Sequence, residues 1–181
     1  MDYIERTIKT DRIYDGKIVK LKIDTVELPN KKYSKREIVE HSPAVTIVAI
    51  NKDDELLLVR QYRKALEKMM YEIPAGLMEF KEQPRDAAFR ELREETGFSA
   101  NKMEYLTEFY TSPGFCNEKV HAFFTDDIEE ASQSLDEDEF IDCEAVPFKE
   151  VVKMILRGEI IDAKTIAAVL FYKEMRQKHA Q

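Results

Sequence analysis

A layered α/β domain, preceded by a small N-terminal β unit, is the fold class that this 181-residue chain predicts. Three observations carry it. PAVTIVAI at 43–50 is almost uniformly apolar, as a strand covered on both faces is. Residues 83–96 carry the start and stop signals of a helix set in the middle of a strand-rich chain. Two further helical patterns close the sequence, at 147–157 and 163–179.

Residues 1–41 read as short strands separated by turns. GKIVKLKIDTVEL sets Ile18, Leu21, Ile23, Val26 and Leu28 among charged residues, a strand alternation with one slip. PNKKYSK supplies a polar connection, and REIVEH returns as another strand. A unit this small has a thin core of its own. The expected division is 1–41 for this unit and 42–181 for the main domain. PAVTIVAI and LLLVRQYR, joined by NKDDE, are expected to be partner strands at the centre of a covered sheet. ALEKMM reads as helical or irregular, and YEIPAG as a short strand ending in a Pro and Gly turn.

The central helix begins at Pro84, whose missing N–H costs nothing in a first turn. Glu82 and Asp86 lie near the positive end of its dipole, and Gly97 is a good stop. KMEYLTEFYTSPGF and KVHAFFTDDI read as strands joined by a Pro-Gly loop, and IDCEAVPF as another strand after the acidic loop LDEDEF. PFKEVVKMILR is an amphipathic helix closed by Gly158. Asp162 can cap the last helix, whose residues Ile166, Ala167, Leu170 and Phe171 are expected to form its apolar side.

Composition narrows the function. Hydrophobic residues make up 44% of the chain, an ordinary globular value. The net charge of −8 argues against nucleic-acid binding, and it disfavours a polyanionic substrate unless metals or local arginines intervene. Cys116 and Cys143 are far apart and form no CxxC pair, so neither a disulfide framework nor a zinc site is expected. A reducing cytoplasm is the natural setting. MDYIERTIKTDR lacks the apolar core of a signal peptide, and no apolar run approaches membrane-spanning length.

The chemistry concentrates in GLMEFKEQPRDAAFRELREETGF at 76–98. On a helix, Glu91, Glu94 and Glu95 span an arc of about 100°. Like charges at that spacing repel, so arginines or a divalent cation must neutralise them. A dense oxygen-only set suits Mg²⁺ or Mn²⁺. A wet helix face laced with Glu–Arg pairs is the other reading of the glutamates alone. The wider spacing decides between them. Gly76, Glu82 and the run Arg90, Glu91, Leu92, Glu94, Glu95, Gly97 and Phe98 fix nine positions in 23 residues, and this pattern resembles the Nudix box throughout.

The resemblance implies a Nudix-type α/β/α sandwich with a mixed sheet, and metal-assisted hydrolysis of a nucleoside diphosphate linked to another moiety. By position, Glu91, Glu94 and Glu95 are the metal ligands, joined by the backbone carbonyl of Ala75. A cation there would neutralise the diphosphate and lower the pKa of a bound water. Arg90 would orient a glutamate from the flank. Glu82 would either complete the metal site or brace the box.

Pro113 in TSPGF, sixteen positions after Gly97, resembles the bacterial ADP-ribose pyrophosphatase subgroup. So does the order of REIVEH, VRQYR, YEIPAG, the box, TSPGF and LDEDEF along the chain. That subgroup implies AMP and ribose 5-phosphate as products and a homodimer joined through the N-terminal strands. Arg36 and Glu37 would meet the nucleotide, Arg63 the diphosphate and Glu118 the terminal ribose. Arg60 is an odd number of residues from Arg63, so the two point to opposite faces of a regular strand. The catalytic set is Glu94 with a base on LDEDEF, either Glu137 or Glu139. Glu137 is preferred as the base and Glu139 for a metal contact. Two other functions stay open at this stage: hydrolysis of another nucleotide sugar such as GDP-mannose, and a regulator that binds ADP-ribose without cleaving it.

Overall fold

The computed structural model describes residues 3–135 and 139–179. Its elements run β1 (Arg6–Asp15), β2 (Val19–Glu27), β3 (Tyr33–His41), β4 (Ala44–Ala49), β5 (Glu55–Arg63), β6 (Lys68–Glu72) and β7 (Ala75–Leu77). Next come α1 (Pro84–Thr96), β8 (Phe98–Ala100), β9 (Glu104–Tyr110), β10 (Lys119–Thr125), β11 (Ile128–Glu130) and β12 (Ile141–Pro147). Helices α2 (Phe148–Leu156) and α3 (Ala163–His179) complete the order. The chain forms two compact units, one built from the residues up to Pro43 with Tyr110–Lys119, the other from Ala44–Phe109 and the residues from Val120 on.

The first unit is the antiparallel sheet β1-β2-β3. The irregularity falls on β1, where the register shifts between Thr7 and Lys9 and again between Arg12 and Tyr14. In β2, Asp24 is buried beside Val26, and it accepts a 2.7 Å bond from the Thr10 hydroxyl. Ile8, Ile13, Tyr14, Ile18 and Tyr33 stay exposed. A short run from Tyr110 to Lys119 joins this unit through the bonds of Val39 N–H to Phe115 O (2.7 Å) and Asn117 N–H to Val39 O (3.2 Å).

In the second unit a mixed sheet has the order β7-β4-β10-β9, with β4 parallel to β10 and antiparallel to β7. A second, antiparallel sheet has the order β12-β5-β6, and β11 pairs with β8. Strand β4 shows why the run at 43–50 carries no polar alternation. Val45, Ile47 and Ala49 pack into one core with Ala87, Ala88 and Leu92 of α1. Val48 and Ile50 pack into the other with Val151 of α2 and Ala168, Val169 and Tyr172 of α3. Helices thus cover the strands on both faces, the α/β/α sandwich of the expectation.

Three expectations need correction. LLLVRQYR is not a sheet partner of β4. It pairs with β12 and β6, and the isolated bridge Ile50–Leu56 links it back. ALEKMM is not helical, because a turn at 64–67, with Glu67 at φ 54°, sends the chain back as β6. The buried side of α3 is Thr165, Ala168, Val169 and Tyr172, while Ala167 and Phe171 face outward. Thr165 and Tyr172 do not read as apolar, so hydropathy alone rotated the face.

Candidate active site

Helix α1 forms where its sequence signals place it. Pro84 occupies the first turn, and Gly97 at φ 73° closes the helix with its N–H on Arg93 O at 3.0 Å. The next carbonyls are also satisfied, since Ser134 N–H donates to Glu94 O (3.1 Å) and the Gln133 amide to Glu95 O (2.6 Å). The chain that leads into the acidic loop is therefore tied to the end of the box helix. Ala87, Ala88, Leu92 and Thr96 seat α1 in the core, and the box glutamates share that flank. Glu91 is 9% exposed and Glu95 4%, whereas Glu94 is half-exposed.

Gly76 explains how a carboxylate comes to lie against the backbone of β7. A Cβ there would stand 2.1 Å from the Glu91 carboxylate, so only glycine leaves room for it. One residue earlier, Ala75 N–H donates to Glu95 Oε2 at 2.9 Å. The two box glutamates with the least exposure are thus both placed on β7.

Arg90 organises the remaining charge. Its Nε and Nη2 each reach a Glu82 oxygen at 2.9 Å, Nη1 reaches Glu91 at 2.7 Å and Glu94 at 2.9 Å, and Nη2 also reaches Leu77 O at 3.0 Å. Glu82 therefore sits beside the guanidinium as a brace, and the Arg90 bonds hold it below the usual carboxylate range. Burial pushes Glu91 upward despite Arg90. Burial pushes Glu95 up to about 8, and the charges of Glu91 and Glu139 add to this.

These residues fit a divalent cation by chemistry: hard oxygen donors, two of them buried, where burial disfavours the unpaired carboxylate of Glu95. Among the described residues no three such side chains converge on one point. The reason is visible in the bonds above, since Arg90 holds Glu91 and Glu94 while the Ala75 amide holds Glu95. A cation would exchange with these bonds. Glu139 acts on the field at both buried glutamates, whereas Glu137 lies outside the described residues.

Arg63, at the end of β5, makes a two-pronged bond to Glu72, with Nε and Nη2 each at 2.7 Å from a carboxylate oxygen. Glu72 is only 1% exposed, and Lys164 of α3 donates to its second oxygen. Arg60 faces elsewhere, over the Tyr71 ring at 5.7 Å. Glu72 and Lys164 were missed by the sequence reading. The available signal was a carboxylate at an inward position of the strand YEIP, which demands a buried partner.

Arg36, Glu37 and Glu118 belong to the first unit. Arg36 donates through Nε to Glu5 at 2.8 Å and stands opposite Asp24 of β2 in the strand register. Glu37 is exposed. Glu118 accepts from the Thr111 hydroxyl at 2.7 Å and lies 3.3 Å from His41 Nδ1.

A helix with interleaved glutamates clamped by one arginine onto a glycine strand defines a metal-dependent hydrolase of the Nudix type. The NUDIX domain profile matches residues 40–169, and the chain belongs to the Nudix hydrolase family. Nudix hydrolases generally use a divalent metal. A protein described as methanol dehydrogenase activator, from Bacillus methanolicus, is 47% identical, over 92% of this chain and 91% of its own length. An ADP-ribose pyrophosphatase of Bacillus subtilis (strain 168) is 42% identical, over 98% and 97%. A solved structure described as an ADP compounds hydrolase superposes with a TM-score of 0.87 at 23% identity, over 97% of this chain and 95% of the other, a likeness of fold.

Proposed function

We propose that the protein hydrolyses the diphosphate of ADP-ribose to AMP and ribose 5-phosphate, with Mg²⁺ as its metal and Mn²⁺ as a substitute. The observation that supports the reading is the pair of buried box glutamates, Glu91 and Glu95, set against β7, in a chain whose likeness to an ADP-ribose pyrophosphatase covers 98% of its length. Glu91, Glu94, Glu95 and the Ala75 carbonyl hold the cation, which supplies charge neutralisation of the diphosphate and a more acidic water. Arg63 grips the diphosphate with the donors that Glu72 leaves open. Water attacks one phosphorus, the bridging P–O bond breaks, and a carboxylate of the acidic loop, Glu137 or Glu139, accepts the proton. Arg36 and Glu37 bind the nucleotide and Glu118 the terminal ribose.

We further infer a cytoplasmic homodimer in which residues 1–41 join two copies of the catalytic domain, 42–181. The exposed Ile8, Ile13, Tyr14 and Tyr33 on so small a sheet support this. Among the described residues no helix is long and apolar enough to cross a membrane.

A panel of nucleotide sugars with Mg²⁺ tests the substrate. ADP-ribose is expected to give the highest kcat/KM; a clear preference for GDP-mannose or another nucleotide sugar overturns the choice. The methanol dehydrogenase activator relative favours a second reading, in which the protein raises the activity of a dehydrogenase. Dehydrogenase turnover that rises on adding the protein, with no hydrolysis of free ADP-ribose, would select it.

A further inference from the structure

We propose that Lys164 and Glu72 are positioning residues for Arg63, so that the first turn of α3 sets the strength with which the site grips a diphosphate. The inference rests on the reading of Arg63 given above, and it assigns work to residues outside the box.

The bonds form a closed circuit. Both Glu72 oxygens take the fork of Arg63, and one of them also takes Lys164 Nζ. Lys164 lies 3.1 Å from Asp162 Oδ1, and Asp162 Oδ2 accepts the Thr165 N–H at 2.9 Å and its hydroxyl at 2.6 Å. Thr165 Oγ1 in turn accepts Ile73 N–H at 3.0 Å, which returns the circuit to the residue after Glu72. Neither Glu72 nor Lys164 belongs to the two clusters of buried hydrophobic side chains. A buried ion network is a poor source of stability compared with apolar packing. It is a good means of fixing a side chain, because Glu72 receives donors from both Arg63 and Lys164 and Lys164 is shared with Asp162.

Arg63 shows what is being fixed. Its Nε and Nη2 edge is committed to Glu72, which leaves Nη1 and the second Nη2 hydrogen for an anion. Lys164 and Asp162 complete the network, so its four charges balance, and Glu72 is held by a second cation besides the Arg63 fork. Lys164 also stops Glu72 from turning away from the strand end, which keeps the fork in one orientation.

The test uses the full-length protein with Mg²⁺ and compares K164M, K164R and V169A. Val169 is fully buried in the same helix and packs in the hydrophobic core. K164M is expected to raise KM for ADP-ribose by about tenfold, with kcat changed by less than about threefold. K164R, which keeps a cation on Glu72, recovers most of that loss. V169A lowers Tm and leaves KM within about twofold of wild type. Calorimetric titration with inorganic pyrophosphate probes the grip without reference to the rest of the substrate, and K164M is expected to weaken it by a similar factor. The proposal is overturned if K164M leaves both KM and pyrophosphate affinity unchanged, if V169A raises KM as much, or if the wild type does not bind pyrophosphate. Wild-type protein that binds pyrophosphate in a Lys164-dependent way but ignores ADP-ribose overturns the substrate reading and leaves this one standing.

Discussion

At Gly76 the geometry separates function from stability. An alanine Cβ would meet the movable end of Glu91 rather than backbone, so the fold can yield by displacing that carboxylate. G76A is expected to change stability by less than about 1 kcal/mol, since the substitution also restricts the unfolded chain. It is expected to lower kcat by about a hundredfold through the misplaced ligand. Urea unfolding and steady-state kinetics on one preparation check both halves. Glu95 carries a second prediction. Its carboxyl titrates near 8 in the metal-free fold against an ordinary 4.5, so the folded state binds the extra proton between those values. Stability from this group is complete below about pH 4.5 and is lost as pH rises toward 8, at about 1.4 kcal/mol per unit of difference. Unfolding curves in EDTA at pH 5.5 and 8 are expected to show this decline, E95Q to flatten it, and a divalent cation at pH 8 to reverse it. Gly76, Glu82 and the box glutamates were readable because their spacing is rigid. Glu72 and Lys164 were not, since 92 residues separate them and neither lies in a periodic pattern.

Elements were legible in proportion to their chemistry of ends. Pro84 and Gly97 marked α1 to within a residue, and the apolar run of β4 announced its two covered faces. The strands β8 and β11, three residues each, carry no period long enough to read. LLLVRQYR looked like a neighbour of β4 because adjacency in sequence usually means adjacency in a sheet. Its fully apolar first half instead serves the antiparallel sheet, with Leu57 on the α1 side and Leu56 and Leu58 on the other. One coupling between α1 and β7 runs through Arg90, which no amine can copy, because its three nitrogens reach four acceptor residues. R90K is expected to lose activity by at least about tenfold despite the retained charge, and to cost about 2 kcal/mol of stability. Leu92→Ala, by contrast, empties a fully buried site on the same helix. It is expected to cost about 2–5 kcal/mol with kcat kept in the fraction that folds.

The whole molecule comprises two compact units, and the proposed roles fall on both. The box, Arg63 and Glu139 belong to the second, while Arg36, Glu37 and Glu118 belong to the first. The apolar exposure of the first unit predicts a particle of twice the 21.2 kDa chain mass by light scattering at micromolar concentration. Replacing Ile8 and Ile13 with lysine is expected to give a monomer, and unchanged mass in that variant counts against this interface. The proposed hydrolysis of ADP-ribose depends on the box glutamates, two of which rest against β7. Its most direct test is turnover of ADP-ribose with Mg²⁺ in ¹⁸O-labelled water, followed by mass spectrometry of the products. AMP and ribose 5-phosphate are expected, one of them carrying a single ¹⁸O, with formation abolished by E91Q. Intact ADP-ribose under these conditions, or undiminished turnover by E91Q, would contradict it.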